Sequence, residues 1–422
     1  MRIMRKQWLI FFALFALFAV PRLVYVVVVG ECSEVMEVER AALSLSRTGI
    51  LGNILADDSR PSAHVMPLYP LVRAAFYRVF GVEVVRDLHL LEFLIVAVGA
   101  SYVGFLPFVA CRAGLTRGAG ILAGIAMALM PTFIWIESGG GGGSVLTTAL
   151  FVAVFWIILV LHDCGWTRWD LCVALGMGIG TAILLDPLLL LPITLAVVGD
   201  LFFQRHSWRM LCRRLLVIGT LVALFWIPWT VRNYRGLGAF VPLRSNFGLE
   251  LWIGNNPRAT GLTDITYWND PSSYANQLHP TASGEALRGG EAAYMHEKLV
   301  MAVQWIRSNP RQFVKLVAAR ARYYWMPSRD LLSPTTRWAG VKTAITCMIG
   351  GVGLCGLLAV MVRRHPYRWF FAAALFGVSS IYMLTHVCNR YRYPAQWLLC
   401  LLGADLLLWA VFKVRTRWQR AC

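Results

Sequence analysis

Charge is scarce in this sequence. Only 15% of its 422 residues are Asp, Glu, Lys or Arg, and 58% are hydrophobic. A soluble domain carries nearer a quarter charged residues, so a polytopic membrane protein is expected instead. Acidic residues are the scarcest: 22 Asp and Glu face 40 Lys and Arg, giving a net charge of +18. That excess does not read as nucleic-acid binding. It falls largely in short clusters between apolar runs, which is how cytoplasmic loops look. The ten cysteines form no Cys-x-x-Cys or Cys/His spacing, so no zinc site is expected. Most of them read as small packing residues. Only Cys32 and Cys388 fall where a disulfide could join them. There is no strong internal repeat and no matched pair of broken helices, which counts against a transporter or flippase.

What is present is apolar length. A bilayer crossing needs roughly 20 apolar residues. That rule gives about ten spans: 8–29, 90–111, 117–136, 144–161, 170–185, 187–203, 213–230, 341–362, 368–386 and 394–412. The first has a basic start like a signal peptide, but its apolar run is too long for one that is cleaved. Basic residues mark MRIMRK, CRAGLTR, HDCGWTR, QRHSWRMLCRR, RRHPYR and KVRTRWQRAC, while 137–143 and 186–187 carry none. This asymmetry predicts both termini inside the cell.

Two long outer segments follow, dividing the chain into a transmembrane core at 1–230 with the first outer loop at 30–89, an outer loop and cap at 231–340, and C-terminal spans at 341–422. In the first loop, 34–47 reads as an amphipathic helix. Val35, Val38, Ala42 and Leu45 share one face, and Glu37, Arg40 and Ser44 the opposite one. A second short helix is expected at 70–80. Both should lie on the membrane surface, apolar side down. The second loop reads as ordered and irregular, with turns at Arg235-Gly236 and Asn255-Asn256-Pro257. Residues 285–325 then read as helix, broken near Asn309-Pro310. Glu137 ends the third span, and the SGGGGGS run after it reads as merely flexible.

Four glutamates, Glu31, Glu34, Glu37 and Glu39, lie within nine positions after the first span. With AALSLSRTG at 41–49, MPLYP at 66–70, VFG at 79–81, RNYRGLGAFVPLRSNFGLELWIGNNP and RYRYP, their order resembles the GT-C glycosyltransferases. The resemblance is to the bacterial protein O-mannosyltransferase and aminoarabinose-transferase type. It covers most of the chain, although each motif alone is loose. It implies an all-α GT-C-like bundle in a bacterial inner membrane. It also implies inverting transfer of a sugar from a polyprenyl-phosphate donor to a glycan, lipid or protein acceptor at the outer face.

That chemistry needs a base for the acceptor hydroxyl and cations on the departing phosphate. Glu37 ranks first as base, Glu34 second and Glu31 third, with Glu39 the least suited. Counting from the helix leaves the choice open, because Val38 stands where many relatives carry tyrosine. Substrate contacts are expected among Arg40, Asp57, Asp58, Arg60, His64, Tyr69, Glu137, Arg232, Arg244, Trp252, Asn255, Asn256, Arg390 and Arg392. Each has a plainer alternative: a solvated helix face for Glu37, head-group contact or ion pairing for the arginines, turn formation for the asparagines. No obligatory cofactor is expected. Mg or Mn could bind the glutamates, but the first loop has no Asp-x-Asp. A non-catalytic assembly subunit is the third reading, kept open by the imperfect acidic motif.

Overall fold

The computed structural model describes residues 2–30, 36–52, 54, 60–203, 208–262, 289–328 and 338–421. Among these residues it is all-helical, with only two isolated β-bridges. Six helical segments are long and apolar enough to cross a membrane: Lys6–Val29, Leu90–Arg112, Gly142–Asp163, Arg209–Leu237, Ala339–Val362 and Asn389–Lys413. A seventh crossing would be the bent pair Arg117–Leu129 and Pro131–Gly140, which turns through 50°. The remaining expected spans are also helical and apolar, at Trp169–Leu185, Pro187–Leu201 and Arg368–Leu384, but they are shorter. Seventeen residues, as in Trp169–Leu185, reach only about 25 Å, against a hydrocarbon core of about 30 Å.

The helices that organise the bundle are α1 (Arg2–Val29), α5 (Leu90–Arg112), α6 (Arg117–Leu129), α7 (Gly142–Asp163), α14 (Ala339–Val362) and α16 (Tyr393–Ala421). The last is central, since Trp397, Leu398, Leu399, Leu401 and Leu402 are all fully buried. Small residues let α14 approach it. A Cβ on Gly353 would come within 2.6 Å of the Leu399 carbonyl, and one on Gly356 within 2.2 Å of Leu402. Van der Waals contact between close backbones is what holds helices together in lipid. The outward surfaces remain apolar, with Val28, Leu216, Val362 and Phe412 exposed.

The break after α6 has a local cause. Pro131 has no N–H to give to the carbonyl of Met127, four residues back. Arg22 of α1 takes that place: its Nη2 donates to Met127 O at 3.2 Å, and its Nη1 donates to Ala128 O. The same guanidinium pairs with Glu137 Oε2 at 2.6 Å, while Tyr393 donates to Glu137 Oε1 at 3.0 Å. Glu137 was expected at the outer face beside a flexible run. It is instead buried within a π-helical turn, Ile136–Gly140, whose Gly139 has φ of 118°. The glycines are packed: a Cβ on Gly142 would lie 2.2 Å from the Tyr69 hydroxyl. They are a place of close approach, not a tether.

Two outer layers cover one end of the bundle. The first contains α2 (Met36–Thr48), α3 (Leu68–Phe80) and the short α4 (Val82–Asp87). Glu39 fastens α2 to α3: Arg73 Nε donates to it at 3.0 Å and the Tyr77 hydroxyl at 2.8 Å, and Arg86 joins from α4 at 2.9 Å. Arg78 donates to the carbonyls of Leu45 and Ser46 at the end of α2. The second layer contains α11 (Phe247–Gly254), α12 (Glu291–Ser308) and α13 (Pro310–Trp325). The break at Asn309-Pro310 is where the sequence put it. The expected turn at Arg235-Gly236 is displaced, because α10 (Trp208–Leu237) runs on and reverses at Gly238, where φ is 65°.

Candidate active site

The two outer layers are stitched together around His64. Ser245 N donates to Ala63 O at 3.0 Å, and Arg244 Nε donates to His64 O at 3.0 Å. Glu291 Oε1 accepts from Ala63 N and from the Ser245 hydroxyl. Arg232 donates to Ser62 O at 2.7 Å and Leu51 O at 2.9 Å. Residues far apart in sequence thereby meet over one cavity of about 520 Å³.

Its polar lining comprises Glu37 from α2, Asp186 from the turn after α8 (Trp169–Leu185), Arg244 and Asn246 before α11, Glu250 on α11, and Arg390 before α16. Gly141, Gly143, Ser144 and Thr147 at the start of α7 form one wall. No side chain caps that helix start, and Ser144 N turns back onto Gly141 O at 2.9 Å. Leu188, Leu190, Leu191, Ile381 and Phe247 make the lining apolar elsewhere. Leu191 and Phe247 are also 44% and 43% exposed, so the cavity has an apolar lip.

Glu37 is buried, not solvated. The helix is covered on both faces: Ala42 of the apolar face is fully buried, and of the face read as polar Ser44 is nearly so and Glu37 is 8% exposed. The reason lies outside α2: His64 of the first loop, with Arg244 and Arg390, stands close enough to act on the carboxylate, and Ser44 donates to Ile50 O at 2.9 Å. His64 Nε2 sits 3.9 Å from Glu37 Oε1, an ion-pair distance too long for a hydrogen bond. Burial alone would raise the carboxyl pKa. His64, Arg390 and Arg244 overcome that and hold it down at about 2. Glu37 is therefore an ionised carboxylate in a cationic setting.

The other expected residues divide. Tyr69, Arg244 and Arg390 line the cavity with Glu37, and His64 backs it. Arg40 is half-buried and Arg60 exposed, and neither lines it. Arg232 fastens the first loop instead. Glu137 belongs to the Arg22 pair. Arg392 faces away from Arg390 and donates to Trp325 O and Thr346 O. Asn255 donates to Leu251 O and Leu384 O, and Asn256 to Trp252 O and Ile253 O, so both close a helix end. Trp252 packs in the α11–α12 layer. Glu31, Glu34, Cys32, Asp57 and Asp58 lie outside the described residues; Cys388 is a free thiol. No group of three metal-ligating side chains occurs among the described residues.

Two lining carboxylates were not anticipated. Glu250 is the only charge in the apolar run FGLELWIG, and Asp186 interrupts ILLDPLLLL. A lone acid in an apolar segment of a membrane protein is a signal in itself. Comparison of the chain with models of known protein families and with curated proteins finds no match.

Proposed function

We propose that the protein is a membrane glycosyltransferase of the GT-C type. It moves a sugar from a polyprenyl-phosphate donor to an acceptor at the outer face of a bacterial inner membrane. The bundle would then be crossed ten times, the three short helices and the bent pair completing the count, with both termini inside. One observation carries the reading: an ionised carboxylate, Glu37, and two arginines, Arg244 and Arg390, line the same apolar-lipped cavity. Such a site suits a phosphate whose tail stays in lipid. Arg244 and Arg390 would hold the phosphate as negative charge grows on it. Glu37 would take the proton from the attacking hydroxyl as its oxygen bonds to the anomeric carbon and the carbon–phosphate oxygen bond breaks.

The test uses the purified full chain in detergent with undecaprenyl phosphate linked to mannose or glucose, and an envelope extract as acceptor. Free undecaprenyl phosphate should accumulate with time and protein concentration. If no polyprenyl-linked sugar is consumed under any acceptor supply, the enzyme reading fails.

A further inference from the structure

Two of the carboxylates in the cavity wall, Glu37 and Glu250, are wired differently. Glu37 has buried His64 at ion-pair distance, 3.9 Å. Glu250 is fixed at both oxygens: Asn246 Nδ2 donates to Oε1 at 2.9 Å, and His386 Nε2 lies 2.8 Å from Oε2. His386 is itself held in place, at 4% exposure. Burial, with the charges of Arg320 and Arg390, keeps its pKa down at about 3. The neutral ring donates its Nε2–H to Glu250 when that carboxyl is ionised; burial pushes the Glu250 pKa up, and Arg244 and Arg390 oppose the rise. A carboxylate offers about four lone-pair positions, so Glu250 keeps two for the cavity it lines. Beside it lies an aromatic plate. Tyr382 and Tyr391 stack with ring centres 4.2 Å apart, 11° from parallel, and both reach the cavity.

A rotationally locked acceptor beside a flat apolar surface is what recognition of vicinal hydroxyls on a sugar ring requires. A base does better with a carboxylate free to take a proton. We propose that Glu250 reads the hydroxyl groups of the transferred sugar and determines sugar specificity, with His386 as its positioning residue. This rests on the reading of the cavity as the donor site. Both arginines act on the charge of both carboxyls, so phosphate and sugar would share one cavity.

Binding separates the two claims. The full chain in detergent is titrated with undecaprenyl phosphate, and with the same lipid joined to mannose, glucose or galactose. The wild type should hold one glycosylated lipid about tenfold or more above the bare lipid. Glu250→Gln should remove that preference, and His386→Gln reduce it, while affinity for bare undecaprenyl phosphate stays within about twofold in both. Unchanged bare-lipid binding also reports an intact cavity. Equal loss for bare and glycosylated lipids in Glu250→Gln, or no sugar preference in the wild type, overturns the assignment and leaves the donor site standing. If the wild type binds neither form, the donor site falls and the assignment with it.

Discussion

Glu37→Gln should lower kcat for sugar transfer by about 10²- to 10⁴-fold, the usual contribution of a positioned base. The substitution keeps the shape and one hydrogen-bonding oxygen but cannot accept a proton. KM for the donor should change little, because the phosphate contacts belong to Arg244 and Arg390. The charge environment adds a pH signature. In the free protein the Glu37 pKa lies at about 2, below the ordinary 4.5. Its ionised form is favoured, so the acid limb of kcat/KM should lie low. Donor phosphate would neutralise the arginines that hold the value down, and the acid limb of kcat should lie higher. Arg390→Gln removes one of those cations and should move the acid limb of kcat/KM upward. Steady-state rates from pH 3 to 8 would show this order. A single limb common to both parameters, unmoved in Arg390→Gln, would remove Glu37 as the titrating base.

Arg22→Ala should destabilise the protein by about 3–5 kcal/mol, the usual result of leaving one partner of a buried ion pair alone. Glu137 would then be a carboxylate inside the bundle with only Tyr393 as donor, and the carbonyls of Met127 and Ala128 would lose theirs. Glu137→Gln should cost less, since the Arg22 charge left behind still donates to the amide oxygen and to the carbonyls of Met127 and Ala128. Arg22→Met with Glu137→Leu should recover part of the loss but not all, because the freed carbonyls stay open. Thermal melting in detergent gives the order. Equal melting temperatures for Arg22→Ala and the wild type would show the pair to be dispensable.

These two predictions mark what could and could not be read along the chain. Helix phase located α2 and α3 to within two residues at each end, and the break at Pro310, since those depend on local pattern. Glu37, Arg244 and Arg390 stood out as polar residues bordering spans, and the cavity unites them. The face Glu37 presents was misread, because the groups that surround it, His64, Arg244 and Arg390, come from other stretches of the chain. Arg232, Arg392, Asn255 and Asn256 looked equally available to a ligand. Backbone carbonyls from distant helix ends claim them, and no periodicity reveals that. Glu137 could be seen as an acid at the outer end of a span, but its partner Arg22 lies 115 positions away. Glu250 and Asp186 were legible as lone acids in apolar runs, a pattern outweighed by the glutamate cluster of the first loop.

The central claim is that Arg244 and Arg390 hold a polyprenyl phosphate in this cavity. Native mass spectrometry of the chain extracted gently from its own membrane tests it directly. The wild type should carry an adduct with the mass of a polyprenyl phosphate or its glycosylated form. The adduct should disappear from the Arg244→Gln, Arg390→Gln double variant, with other bound lipids unchanged. A wild type carrying only phospholipid, or a polyprenyl adduct retained by the double variant, would contradict the account.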